Sequence, residues 1–300
     1  MQKSHSARYR HLPVMPVEVM KNLSPRNGDV AVDGTTGLGG HSRLIGQALG
    51  STGRLICLDR DSHAMEMARA GLADLSCHVD FVNQVFEFMD RELEHLELPG
   101  AECILLDLGV SSLQLDSPER GFSFLRDGPL DMRMGWNASE TARDIVNNWS
   151  EDRLARLFAE LGEERFSRRL ARCIVERRTI RPIETTIELS ELATRSVPRK
   201  GRTHPATRMF QAIRMRVNDE LGCLSRGLAA AGRALAPGGR LAVLSYHSLE
   251  DRLTKRTFTR WRDMGLVKWA MDGAAVPSRE EIEVNPRARS AKLRVVERLS

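Results

Sequence analysis

The chain has no CxxC pair. Its five cysteines, at 57, 77, 103, 173 and 223, are odd in number and scattered, which argues against disulfides and structural zinc and for a reducing compartment. Cys57 and Cys103 sit inside apolar runs, where a thiol behaves as a small hydrophobe. No run approaches the roughly 20 apolar residues that span a bilayer. The first ten residues hold no apolar signal-peptide core. A soluble, cytoplasmic protein without a membrane partner or a metal is therefore expected. Internal repeats and low-complexity segments are also missing.

What is present is a globular composition: 300 residues, 41% apolar and 28% charged, enough for one large domain or two modest ones. The net charge of +5 permits a polyanionic partner without requiring one.

Three short apolar runs end in a carboxylate. They are Val30-Ala31-Val32-Asp33, Leu55-Ile56-Cys57-Leu58-Asp59 and Cys103-Ile104-Leu105-Leu106-Asp107. Buried parallel strands end this way where their C-terminal edges meet a ligand. Strands are expected near 29–33, 54–59, 78–82 and 102–107, with helices at 15–24, 42–49 and 62–70 around and between them. This βαβ rhythm implies a doubly wound, mostly parallel sheet.

The next convincing strand is 240–245, after the turn Ala236-Pro237-Gly238-Gly239, preceded by a helix over 218–235. The stretch between, 112–212, reads as an inserted all-helical module. Ser150 caps a stripe of Leu154, Leu157, Phe158 and Leu161. Phe166, Leu170, Cys173 and Ile174 make a second stripe, and Ile187, Leu189 and Leu192 a weaker third. The expected division is 1–111 and 213–300 for the sheet domain and 112–212 for the insertion.

The glycine loop narrows the ligand. A dinucleotide fingerprint needs glycine or alanine in its third position, but the run Gly37-Leu38-Gly39-Gly40-His41-Ser42 has Ser42 there. Asp33 precedes the loop and would repel a pyrophosphate. It would attract the ammonium and sulfonium of S-adenosylmethionine. A nicotinamide dehydrogenase is correspondingly disfavoured. Asp59 is placed to accept from ribose hydroxyls, Phe86 to pack on adenine, and Asp107 to face the methyl group. His41 either caps the following helix or touches the methionine carboxylate.

At this point the chain resembles a known family, the bacterial 16S rRNA (cytosine N4)-methyltransferase H family, also called MraW. The resemblance rests on His11-Leu-Pro-Val-Met-Pro-Val-Glu-Val19, Asp33-Gly-Thr-Thr-Gly-Leu-Gly-Gly-His-Ser-Arg43 and Leu105-Leu-Asp-Leu-Gly-Val-Ser-Ser-Leu-Gln-Leu-Asp116. It continues through Arg120-Gly-Phe-Ser-Phe124, Arg126-Asp-Gly-Pro-Leu-Asp-Met-Arg-Met134, Gly162-Glu-Glu-Arg-Phe166, His204-Pro-Ala-Thr-Arg208 and Phe210-Gln-Ala-Ile-Arg214. The last segments are Ser245-Tyr-His-Ser-Leu-Glu-Asp-Arg252 and Asn285-Pro-Arg-Ala-Arg-Ser290. Nearly the whole chain is covered.

The resemblance implies a Rossmann-like class I methyltransferase fold with an inserted helical domain. It implies S-adenosylmethionine contacts at Gly39, Gly40, His41, Asp59, Phe86, Asp107 and Gln114. The implied partner is 16S rRNA in the small ribosomal subunit, methylated at the N4 of a decoding-region cytidine. The stretch 264–284 is shorter than in many members. The residues leave the oligomeric state open, and a homodimer is compatible with them.

For the chemistry, Asp107 or a carbonyl of Leu108 or Gly109 is the candidate proton acceptor for the exocyclic amine; the alternative is that Asp107 only holds cofactor. Phe122, Phe124 and Met132 either wall a pocket for an unstacked base or form a buried linker core. Three basic runs are candidate phosphate contacts. The first holds Arg195, Arg199, Lys200, Arg202 and Arg208; the second Arg252, Lys255, Arg256, Arg260 and Arg262; the third Arg287, Arg289, Lys292 and Arg294. Each is otherwise a solvated face. Rival readings are a methyltransferase for DNA or a small molecule, and a non-enzymatic RNA-binding factor with a vestigial cofactor fold.

Overall fold

A computed structural model describes residues 12–135, 138–198 and 204–300. Two compact units emerge: one from residues 1–109 and 221–300, the other from 110–220.

In the first part of the sheet unit the chain runs α1 (Pro16–Leu23), β1 (Val30–Asp33), α2 (Gly40–Leu49), β2 (Arg54–Leu58), α3 (Ser62–Gly71), β3 (His78–Val82), α4 (Met89–His95) and β4 (Ala101–Asp107). The helical unit holds α5 (Ser112–Asp116), α6 (Ala142–Asn148), α7 (Glu151–Glu160), α8 (Ser167–Ile180), α9 (Thr186–Ser196) and α10 (Thr207–Val217). Then come α11 (Glu220–Ala234), β5 (Leu235–Ser245), α12 (Ser248–Asp263), β6 (Val267–Trp269), α13 (Arg279–Val284) and β7 (Lys292–Arg298).

The seven strands order as β3-β2-β1-β4-β5-β7-β6. All pairs are parallel except those of β7, which runs antiparallel to β5 and β6. Period-two alternation supplies both faces. Val32, Ile56, Ile104, Leu106 and Val243 pack with Leu93, Leu224, Leu228 and Phe258 on one side. Ala31, Leu55, Cys57, Leu105 and Leu244 pack with Val19, Leu23, Ile45, Leu49 and Met65 on the other. Burial pushes the Cys57 and Cys103 thiols up to about 12, so both remain protonated hydrophobes. Among the described residues all five cysteines are free, and no helix is long and apolar enough to cross a membrane.

β1 lies between β2 and β4, and the strand order reverses there. Asp33 pairs in register with Cys57 and Leu105. A crevice for a ligand opens at such a switch point, outside the carboxyl ends of the strands.

Three details depart from the sequence reading. The antiparallel pair β6 and β7 was not expected. β5 extends back through the 236–239 turn to Leu235, with a register shift opposite Ala101 and Cys103. The second boundary of the insertion lies at 220/221 rather than 212/213. The cut at 212 falls inside α10, whose Ile213 and Val217 belong to the helical unit's own core.

That core joins Leu154, Leu157, Phe158, Leu170, Ile174, Leu189, Phe210 and Ile213. Its helices start on caps: Ser150 accepts from the Arg153 amide, and Thr141 with Asp144 and Thr185 with Glu188 form capping boxes. Ile187 of the third stripe is exposed instead. Phe122 and Met132 are buried in this core, and Phe124 stacks on His204 with ring centroids 4.8 Å apart. The linker-core reading therefore describes Phe122 and Met132.

Candidate functional site

The site builds outward from Asp33, which is 1% exposed at the end of β1. Its carboxylate accepts from the Ser42 hydroxyl at 2.6 Å and the Thr35 amide at 3.1 Å. Burial outweighs these bonds and raises its pKa to about 6. The loop that follows turns at Gly39, whose φ of 82° is left-handed and suits glycine. Gly40 then opens α2.

Asp59 ties this loop to the end of β2. Its two oxygens accept the Gly37 amide at 2.8 Å and the Asp61 amide at 2.9 Å. Burial raises its pKa while those amides oppose the rise. Of the two roles considered for His41, capping is excluded: Gly39 is the N-cap, with no side-chain cap bond, and His41 is the second helical residue. The imidazole is buried, and its Nε2 faces Asp107 Oδ2 at 3.6 Å, beyond direct hydrogen-bonding range.

Asp107 closes β4. Its amide donates to Thr35 Oγ1 at 2.6 Å, and its Oδ1 accepts from the Tyr246 hydroxyl at 2.6 Å. Burial pushes its pKa up to about 7; the Tyr246 bond pulls it down, and Asp33 and Glu250 push it up further. Tyr246 itself is raised well above its ordinary range by burial and by Asp107. Sequence reading gave Tyr246 no role. The available signal was its position just past the end of β5, on the same sheet edge as Asp107.

Phe86 is 8% exposed. A Cβ built on Gly227 would lie 2.2 Å from Phe86 Cε2, so the ring rests on bare backbone of α11 and spends most of its surface in the core. Gln114 lies in the helical unit. There its Oε1 accepts the Ser111 amide at 3.1 Å and its amide donates to Ser111 Oγ, completing a capping box on α5.

The basic candidates divide. Arg199, Lys200 and Arg202 lie outside the described residues. Arg208 is exposed and donates to the Glu163 carbonyl at 3.0 Å. Arg287 and Arg289 are exposed on the short helical turn Pro286–Ser290. Lys292 and Arg294 of the same run are not open phosphate contacts, because both pair with Asp251, at 3.0 and 2.7 Å, and Arg294 is buried.

Asp33 and Asp107 thus share the switch-point end of the sheet, and among the described residues neither has a lysine or arginine partner. A buried carboxylate and a half-buried one in this state favour a ligand that brings positive charge and disfavour an anion. An ammonium next to a sulfonium fits this need.

Comparison with known proteins agrees. Residues 8–299 match the model of the MraW methylase family. A "Ribosomal RNA small subunit methyltransferase H" from Geobacter sulfurreducens is 48% identical over 97% of this chain and 99% of its own length. One of the same name from Syntrophotalea carbinolica is 47% identical over 97% and 98%. Among solved structures, an rRNA methylase from Streptococcus thermophilus covers 95% of each chain at 10% identity with a TM-score of 0.45, too loose a likeness to carry an argument. With the sheet order, the cation-seeking crevice and these full-length relatives together, the chain belongs to the MraW methylase family and is an S-adenosylmethionine-dependent rRNA methyltransferase.

Proposed function

We propose that the enzyme methylates the exocyclic N4 of a single cytidine in the decoding region of 16S rRNA, with the base turned out of its stack. The observation that carries the reading is Asp107. It is a carboxylate at the switch point with a pKa near 7 and one oxygen already engaged.

The bound cofactor supplies an electrophilic methyl on a sulfonium. Asp33 and Asp107 would complement its charge, the first turn of α2 after Gly39 and Gly40 would offer amides to a carboxylate, and Asp59 would accept from hydroxyls. His41 flanks Asp107, and the exposed edge of Phe86 would border the base of the cofactor.

Cytosine N4 is a weak nucleophile because its lone pair is delocalised into the ring. An acceptor for its proton frees that pair as the new bond forms. Tyr246 occupies Asp107 Oδ1, so Oδ2 is the acceptor atom, and a pKa near neutrality suits a general base. Positioning supplies much of the remaining rate.

The test is methyl transfer from labelled S-adenosylmethionine into small ribosomal subunits lacking native modification, followed by nucleoside analysis. Label in N4-methylcytidine supports the reading; label in another nucleoside refutes it. Asp107→Ala, shown to be folded, should lose turnover. Near-normal turnover would remove Asp107 from the chemistry.

A further inference from the structure

The basic run 252–262 is left over once the cofactor site is described. It lies on α12, where Lys255, Thr259 and Arg262, spaced four and three residues apart, share one face. That face forms one wall of a cleft of about 360 Å³. The lining also includes Trp269 at the end of β6, with Asp272 and Gly273 in the connection that follows.

Trp269 is half-buried, and its ring is braced edge-on by Phe258, which is fully buried, at 5.9 Å between centroids. A fixed aromatic ring at the wall of an open cleft is a stacking platform. The charge around it is unevenly spent. Arg294, also in the lining, is consumed by Asp251 at 2.7 Å, and among the described residues Arg262 pairs with its neighbour Asp263. Lys255, Arg256 and Arg260 are exposed and have no acidic partner among the described residues.

α12 also begins at the reaction centre. Its N-cap is His247, next to the tyrosine that holds Asp107. At about 1.5 Å per residue, Lys255 lies roughly 10 Å and Arg262 roughly 20 Å along the axis from the first turn. A row of cations leading away from the site and ending beside an aromatic platform has the chemistry of a single-stranded nucleic acid track.

We infer that this cleft docks an unpaired nucleotide of the rRNA flanking the target, its base stacked on Trp269 and its phosphates held by Lys255 and Arg262. Asp272, an exposed residue of the lining, accepts a base amino group and disfavours uracil, which has none. The inference rests on the rRNA reading above and adds a second contact region outside the catalytic crevice.

The full-length enzyme is tested with unmodified 16S rRNA. The double variant Lys255→Ala, Arg262→Ala changes only exposed side chains and should fold. Its rRNA affinity should fall about tenfold or more, and the slope of log affinity against log salt should flatten by about one to two. Trp269→Ala should weaken binding by about 5- to 100-fold, and Trp269→Phe should restore most of it. KM for rRNA should rise while kcat at saturating rRNA and affinity for S-adenosylmethionine stay at wild-type values. If the wild type methylates rRNA and the variants match its affinity and salt slope, the cleft has no such role while the substrate reading stands. If the wild type neither binds nor methylates rRNA, both fail.

Discussion

Replacing Tyr246 with phenylalanine removes one hydroxyl from the reaction centre and leaves the ring in place. That hydroxyl donates to Asp107 Oδ1 at 2.6 Å and favours the ionised carboxylate against the burial that drives the pKa up to about 7. The other groups facing Asp107 are His41 from α2, Asp33 from β1 and Glu250 from α12, and the substitution touches none of them. A hydrogen bond to a charged group is worth about 1.5–3 kcal/mol. One pKa unit is about 1.4 kcal/mol, so losing the bond lifts Asp107 by roughly one to two units, to about 8–9. At pH 7 about half of the wild-type carboxylate is ionised, against roughly a tenth to a hundredth in the variant. The ratio kcat/KM for S-adenosylmethionine, which reports ionisation of the free enzyme, should fall about 5- to 50-fold at pH 7 and recover toward wild type by about pH 9. The assay is the initial rate of methyl transfer at subsaturating cofactor across that pH range. A uniform loss at every pH, with the acid limb unmoved, would falsify the assignment of Asp107 as the titrating group held by Tyr246.

Two further outcomes follow from the same charges. Asp33 and Asp107 both have folded pKa values above the ordinary carboxylate value. The folded state therefore holds more protons than the unfolded state between about pH 4 and 7, and stability without cofactor falls as pH rises through that window. Asp107→Asn should thus be more stable than the wild type near pH 8, by an amount on the order of a few kcal/mol, with the gap closing toward pH 4; thermal melts decide it, and an equal gap at both ends would count against the carboxylate's charge as its source. For Asp251, burial favours the neutral acid, but bonds from Arg294 and Lys292 hold its pKa below the usual range. Arg294→Leu leaves that carboxylate without its buried partner and should cost about 3–5 kcal/mol in urea unfolding. A loss within about 0.5 kcal/mol would mean the arginine behaves as a surface residue.

The parallel half of the sheet was legible because its strands are local patterns: an apolar run and a helix to cross back, with a terminal acid at β1, β2 and β4. The cation preference was legible for the same reason, since Asp33 sits one residue before the glycine loop. β6 and β7 were not. β6 has three residues, and in β7 the buried Leu293, Val295 and Val296 alternate with or adjoin Lys292, Arg294 and Glu297, so charge hid the strand. Tyr246 was missed because its partner lies 139 residues away. Only the pairing of β4 with β5, Asp107 opposite Leu244, brings the two strand ends to one edge.

The basic runs show where reading charge from sequence stops. In sequence the three look alike, each a cluster of arginines and lysines with few acids among them. Their fates depend on acids supplied from elsewhere. Lys292 and Arg294 meet Asp251 from α12, forty-one and forty-three residues away, and are spent on stability. Arg195 meets Glu191 one helical turn earlier on an exposed face, where such a pair is worth little. The outer face of α12 is different because two of its three acids are turned elsewhere, the third, Asp263, pairing with Arg262 at 2.6 Å. Glu250 accepts the Tyr246 amide at 2.8 Å, and Asp251 reaches to β7. That leaves Lys255, Arg256 and Arg260 without neutralising partners among the described residues, next to a braced tryptophan. Partnering, more than the number of cations, separates a phosphate-binding face from a structural one, and partnering is set by the sheet register that places β7 beside β5.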